Sequence, residues 1–278
     1  MTGPGRDAIP FVRCDAAHGA LWLRQAFAML WAQRVRWLLL LLAYYVIVWV
    51  VRKLPYAGPL VALTLKPVFA VGFLAAAWSQ ERGEPPSIGH LFTGFRANLR
   101  ALLPLGVAFV AGIVGAIAAT WFIDGGKLLA VMSGAAAIDE DFLASADAQA
   151  AMLFGALCAL PILLASWFAP ALVVFQDCGT ARALATSFRA AVANGRAIAV
   201  YALLLFFYGG MLPGLIATII AALAPAEAAS TVAMIVLLPY LALLVATLHV
   251  SDYVSYRDVF HHDERPAPVA AAASDGTA

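Results

Sequence analysis

The run Trp37-Leu38-Leu39-Leu40-Leu41-Leu42-Ala43-Tyr44-Tyr45-Val46-Ile47-Val48-Trp49-Val50-Val51 carries no charge, and it decides the fold. In lipid such a run is stable only as a helix that bonds its own backbone, because hydrocarbon offers no partner to a bare N–H or C=O. A span needs about 20 mostly apolar residues to cross about 30 Å of hydrocarbon. This core is shorter, but Arg36 before it and Arg52 and Lys53 after it can carry their charges to the interfaces on long stems. The first span is placed at 37–54.

Five further stretches of the same kind lie at 56–78, 101–123, 150–175, 197–223 and 229–250, the first of them interrupted by Lys66-Pro67. Trp37, Trp49, Trp78, Trp121 and Tyr240 include several rings near span ends, where aromatic side chains settle. The fold expected is all-α, a polytopic membrane bundle of six transmembrane helices. Composition agrees: the 278 residues are 64% hydrophobic and only 12% charged, with mean hydropathy +0.89. Soluble domains carry about 25% charged residues. A soluble enzyme is thereby set aside, and a net charge of +1 sets aside nucleic acid as an electrostatic partner.

Thirteen Lys and Arg fall on one side of this arrangement (before the first span, in the loops after the second and fourth, and in the tail), against three on the other. The positive-inside rule then puts both termini in the cytoplasm of a bacterial inner membrane. No small-residue cleavage site precedes the first apolar run, so that run is expected to be a retained anchor. Cys14, Cys158 and Cys178 show neither a disulfide framework nor paired metal-ligand spacing. The domain layout is an N-terminal cytoplasmic segment 1–18, a six-span membrane domain 19–260 and a flexible tail 261–278.

Three segments on the terminal side show helical periodicity. Residues 18–36 carry Trp22, Phe27, Leu30 and Trp31, residues 87–100 carry Ile88, Leu91, Phe92, Phe95 and Leu99, and residues 180–196 carry Leu184, Phe188 and Val192. Each is expected to be an amphipathic helix lying along the interface. Each also precedes a helical hairpin, which suggests three parallel repeats of interface helix plus hairpin about an axis along the membrane normal. Six spans with three inner loops would look similar without any repeat.

The run Gln80-Glu81-Arg82-Gly83-Glu84-Pro85-Pro86, with Leu91-Phe92 and Phe95 after it, resembles a family of uncharacterised proteobacterial six-span inner-membrane proteins. So do Phe168-Ala169-Pro170-Ala171-Leu172, Ser187-Phe188-Arg189 and the exit Tyr253-Val254-Ser255-Tyr256-Arg257-Asp258-Val259-Phe260. The architecture is also similar to the membrane half of bacterial glycerophosphodiester phosphodiesterases, without room for their catalytic barrel. The resemblance implies fold and location. It supplies no catalytic residue.

Lys66 is the most informative position, because a lysine at mid-bilayer costs about 2.5–3.5 kcal/mol on insertion scales and is often functional. It either snorkels outward or faces bundle water, or it takes a ligand or an ion pair, with Asp124 as the expected partner. Arg34, Glu81, Arg82, Glu84, Arg96, Arg100, Arg189 and Arg196 are candidates for contact with lipid headgroups or a cytoplasmic protein. His249 and Asp252, three apart, could relay a proton. The acids Asp139, Glu140, Asp141 and Asp147 and the tail His261-His262-Asp263 could hold a cation, although neither has a binding spacing and each reads more simply as a solvated segment. Gly112 and Gly115 suggest close helix contact. No nucleotide, hydrolase or metalloprotease motif is present, so the expectation is a protein without catalysis, cofactor or metal. Its leading role is binding lipid or a partner through the interface helices, and the alternative is a passive or exchange transporter of a small solute near Lys66.

Overall fold

The computed structural model describes residues 9–55, 57–137 and 140–261, and no strand occurs among them. The chain runs through α1 (His18–Ala32), α2 (Arg34–Arg52), α3 (Gly58–Thr64) and α4 (Lys66–Glu81). A 3-10 turn (Ile88–Phe92) and α5 (Thr93–Arg96) lead into α6 (Leu99–Ala119), α7 (Trp121–Asp124), α8 (Lys127–Ser133) and α9 (Glu140–Ala144). Then come α10 (Ala146–Trp167), α11 (Ala169–Phe175), α12 (Thr180–Ala193), α13 (Gly195–Phe206), a π turn (Phe207–Met211), α14 (Leu212–Leu223) and α15 (Ala226–Phe260). Among the described residues, five helical stretches are long and apolar enough to cross a membrane, and α3 with α4, bent by 43°, makes a sixth if counted as one span.

Proline sets the breaks. Pro59, Pro67, Pro170 and Pro213 each stand in the first turn of a helix, where the missing N–H costs nothing. Pro104, Pro161 and Pro239 lie inside α6, α10 and α15. At the α10–α11 break the hydroxyl of Ser187 from α12 enters the helix ladder. It accepts from the Phe168 N–H at 2.9 Å and donates to the Leu164 carbonyl at 2.9 Å. At the π turn the Tyr240 hydroxyl donates to the Tyr208 carbonyl at 2.6 Å.

Burial concentrates at the end of the bundle where both termini lie. Trp22, Leu30, Trp37, Phe73, Leu91, Phe168, Leu172 and Tyr256 are among its fully enclosed side chains. The opposite halves of the spans expose Trp49, Val114, Leu153, Leu203 and Leu238, as lipid-facing surfaces do. The termini meet through Val12 N–H to the Val259 carbonyl at 2.9 Å, and Asn194 ties Cys14 N–H to its Oδ1 at 2.7 Å. Among the described glycines the tightest approach is at Gly106, where a Cβ would fall 1.9 Å from the Thr64 carbonyl oxygen. Gly112 meets Ile162 in the same way, whereas a Cβ on Gly115 would have no neighbour within 4 Å, so only one of the two expected contact glycines makes contact.

One interface segment differs from expectation. Residues 87–100 are not one helix: a 3-10 turn and one α-turn end at Ala97, whose extended backbone (ψ −157°) precedes Asn98, the N-cap of α6. In α12 the stripe Phe188 and Val192 is exposed, and the buried face is Ala183, Thr186, Ser187, Ala190 and Ala191, which lets α12 lie close against α10. The last helix also continues past Val250 to Phe260 as one piece.

Ser187→Ala would leave the Phe168 N–H and Leu164 carbonyl without their bridge in a dry interior. A loss of about 1–3 kcal/mol is expected, measured as reduced thermal stability in detergent, with no change in membrane insertion.

Candidate functional site: a polar cavity within the bundle

Lys66 opens α4, immediately after the bend at Leu65. Its ammonium lies 4.8 Å from the centre of the Phe109 ring, a cation–π contact from α6. Both groups line a cavity of about 280 Å³ to which α4, α6, α10, α11, α13 and α15 all contribute. Its polar wall consists of Lys66, Ser166, Trp167, Tyr201 and Asp252, and the rest is aliphatic or aromatic apart from Pro67 and Pro170 at the two span breaks. The breaks thus fall beside the cavity, an arrangement lipid-exposed backbone does not tolerate but a cavity wall does.

Asp252 reaches this place because α15 does not stop at Val250. Its carboxyl group accepts no hydrogen bond and forms no ion pair within 4.0 Å among the described residues, and it lines the same cavity as Lys66. The buried Ser166 Oγ likewise has no hydrogen-bond partner among the described residues. Tyr201 instead is bonded to Ser251 Oγ, and Trp167 donates to Ser255 Oγ at 3.5 Å. One basic side chain, one carboxyl group and one unengaged hydroxyl therefore line a common space.

A smaller space of about 170 Å³ also touches Lys66 and extends past Tyr44 and Val48 to Arg52. Another concavity, of about 650 Å³, lies along the exposed Tyr45–Trp49 face of α2 and is lined by no acid, so it reads as a lipid-facing groove.

Asp124 is not the partner of Lys66. Its two carboxylate oxygens accept from Gly126 N–H at 2.8 Å and Leu128 N–H at 2.7 Å, which turns the chain from α7 into α8. His249 does not bond Asp252 either: its ring stacks on Phe73 with centroids 3.8 Å apart and meets Tyr44 edge-on at 5.9 Å. Glu81 is engaged inside the protein, accepting from the Tyr253 hydroxyl and the Arg257 guanidinium. Glu84 accepts from Ser79 Oγ at 3.1 Å. Arg34 and Arg82 lie over Trp31 and Trp78 at 5.1 and 4.6 Å, while Arg96, Arg100, Arg189 and Arg196 are exposed. Of the acidic outer segment, Asp147 is exposed in the first turn of α10, where the helix dipole favours it, and Asp139 lies outside the described residues. His261 bonds the Tyr256 hydroxyl at 3.1 Å, and the rest of the tail, with His262 and Asp263, lies outside the described residues. Burial pushes the Cys178 thiol up, and its Sγ donates to the Leu172 carbonyl at 3.1 Å, which leaves it inert.

A probable inner-membrane protein of Burkholderia thailandensis is 31% identical over 271 residues, covering 95% of this chain and 98% of that protein. The chain belongs to that protein's family. It is a transmembrane protein of the inner-membrane type, and its apolar helices accord with that membership. No family model and no solved structure matches this inner-membrane protein.

Proposed function

We propose that this inner-membrane protein binds a small charged solute in the central cavity and passes it across the bilayer without an energising reaction. The observation that carries this reading is the Asp252 carboxyl group, which shares with Lys66 a cavity walled by the broken spans and has no hydrogen-bond or ion-pair partner among the described residues. An intramembrane ionisable group is costly, and an acid and a base that line one cavity without pairing suit a ligand that engages both. Space of about 280 Å³ holds a small metabolite or several waters. Half-helices that meet at mid-bilayer frame substrate in many transporters. Asp252 takes the role that Asp124 was expected to fill, and no residue in the wall is assigned a catalytic one.

Native mass spectrometry of the protein extracted with its surrounding membrane tests this. A stoichiometric small molecule is expected on the native protein and lost in both Lys66→Met and Asp252→Asn. Identical spectra with bulk lipid only, for all three proteins, would contradict the reading.

A second reading rests on a different observation. The terminal end is ringed by exposed apolar side chains interleaved with arginines: Phe27 and Trp31 with Arg34, Trp78 with Arg82, Phe92 with Arg96, and Phe188 and Val192 with Arg189 and Arg196. Such a belt would hold anionic lipid headgroups, or a partner protein docked on them, and it supports placing both termini in the cytoplasm. The same element order, interface segment followed by outgoing and returning span, occurs three times along the chain and supports diverged repeats. Each arginine near an anionic surface contributes about 1 kcal/mol. Arg96→Glu with Arg189→Glu is therefore expected to reduce the anionic lipid that copurifies with the protein, and unchanged lipid would remove the belt from the account.

A further inference from the structure

Away from the cavity, at the terminal end, three classical ligand types converge. Cys14 Sγ and His18 Nε2 each lie 3.7 Å from Asp258 Oδ2, and the three ligand atoms lie within 4.8 Å of one another. Bonds of about 2.0–2.3 Å at tetrahedral angles imply ligand-to-ligand edges of about 3.4–3.6 Å, so small side-chain movements bring all three to one ion. We propose that Cys14, His18 and Asp258 form a binding site for a borderline-soft divalent transition metal of the Zn²⁺ class.

The surroundings are those of a built site. Asp15 Oδ1 lies 2.8 Å from His18 Nδ1 and is held there by the Ala17 N–H at 3.0 Å. A carboxylate oxygen can only accept, so this contact places a proton on Nδ1. In the neutral ring Nε2 then presents a lone pair toward the Asp258 carboxylate, and a cation between them relieves the opposition. The carboxylate–histidine arrangement is the one that orients imidazole ligands at metal centres. Trp22 Nε1 donates to Asp258 Oδ2 at 2.8 Å, and Asp258 is only 3% exposed, so the acid has a fixed position on α15. On the other side Asn194 holds the backbone of residue 14, and the Val12–Val259 bond holds the arm.

Binding would transfer the Cys14 thiol proton to solvent and form a metal–sulfur bond. Three protein ligands leave a fourth position for water or an exogenous ligand. The metal would staple the N-terminal arm to the last helix across 244 residues of sequence. That separation explains why spacing along the chain showed no site.

The test uses tag-free, full-length protein in detergent under a non-thiol reductant, titrated with Co²⁺. Expected are thiolate-to-cobalt charge-transfer absorption that saturates at one equivalent, its displacement by Zn²⁺, and its loss in Cys14→Ser. His18→Gln should weaken binding at least as much as Asp15→Asn, the orienting carboxylate, for which a loss of roughly 10–100-fold is expected. Asp15 lies on the surface, so its variant reads the site without depending on the fold. No absorption in the native protein would overturn the proposal, as would absorption kept in Cys14→Ser. So would affinity that is unchanged in Asp15→Asn and His18→Gln but lost in His262→Ala.

Discussion

A helix that breaks inside a bilayer releases backbone groups that lipid cannot satisfy, and the protein must cover them itself. The hydroxyl of Ser187 meets that demand at the α10–α11 break, joined to both Phe168 N–H and the Leu164 carbonyl. This requirement explains why α12 turns its small residues inward: only alanine, serine and threonine let it approach α10 closely enough for one hydroxyl to reach the ladder. It also explains why α12 cannot lie wholly on the membrane surface. Tyr240 does the same for the π turn from a neighbouring helix.

With the breaks covered, the broken spans can carry polar groups into the bundle. Lys66 and Pro67 stand at one break, and Ser166, Trp167 and Pro170 at the other. Asp252 arrives from α15, which is anchored lower down by Arg257 to Glu81 and by Trp22 to Asp258. Dense packing at the terminal end thus holds the acid opposite the lysine, while the other half of the bundle faces lipid with little internal contact.

Much of this was legible in the sequence, because hydropathy is the strongest signal a membrane chain carries. The apolar stretches and the break at Lys66-Pro67 follow from it. The acid that shares the Lys66 cavity did not. Hydropathy ends the last span at Val250, yet Tyr253, Tyr256 and Phe260 continue at helical spacing and keep α15 intact through Asp252. The segment 87–100 was read by its apolar spacing alone, whereas Gly89, Gly94 and Asn98 weaken a continuous helix and allow Gly94 to pass within a Cβ's reach of the Val68 carbonyl. In α12 the large apolar residues Phe188 and Val192 are exposed, and it is the small ones that mark its helix contact. Pairings such as Cys14 with Asp258 depend on the tertiary closure of the two termini, which no local pattern encodes.

The central claim is that the space between Lys66 and Asp252 is polar and wet, not a packing defect. Thiol reactivity measures this directly, since a thiol must ionise in water to react. Ala70 lines the cavity and Leu157 is exposed on the lipid-facing surface. In protein with its three native cysteines replaced and reconstituted in liposomes, Ala70→Cys should react readily with a charged thiosulfonate reagent and Leu157→Cys should not. If the cysteine at position 70 were as inert as the one at position 157, the cavity would be dry and the account would fail.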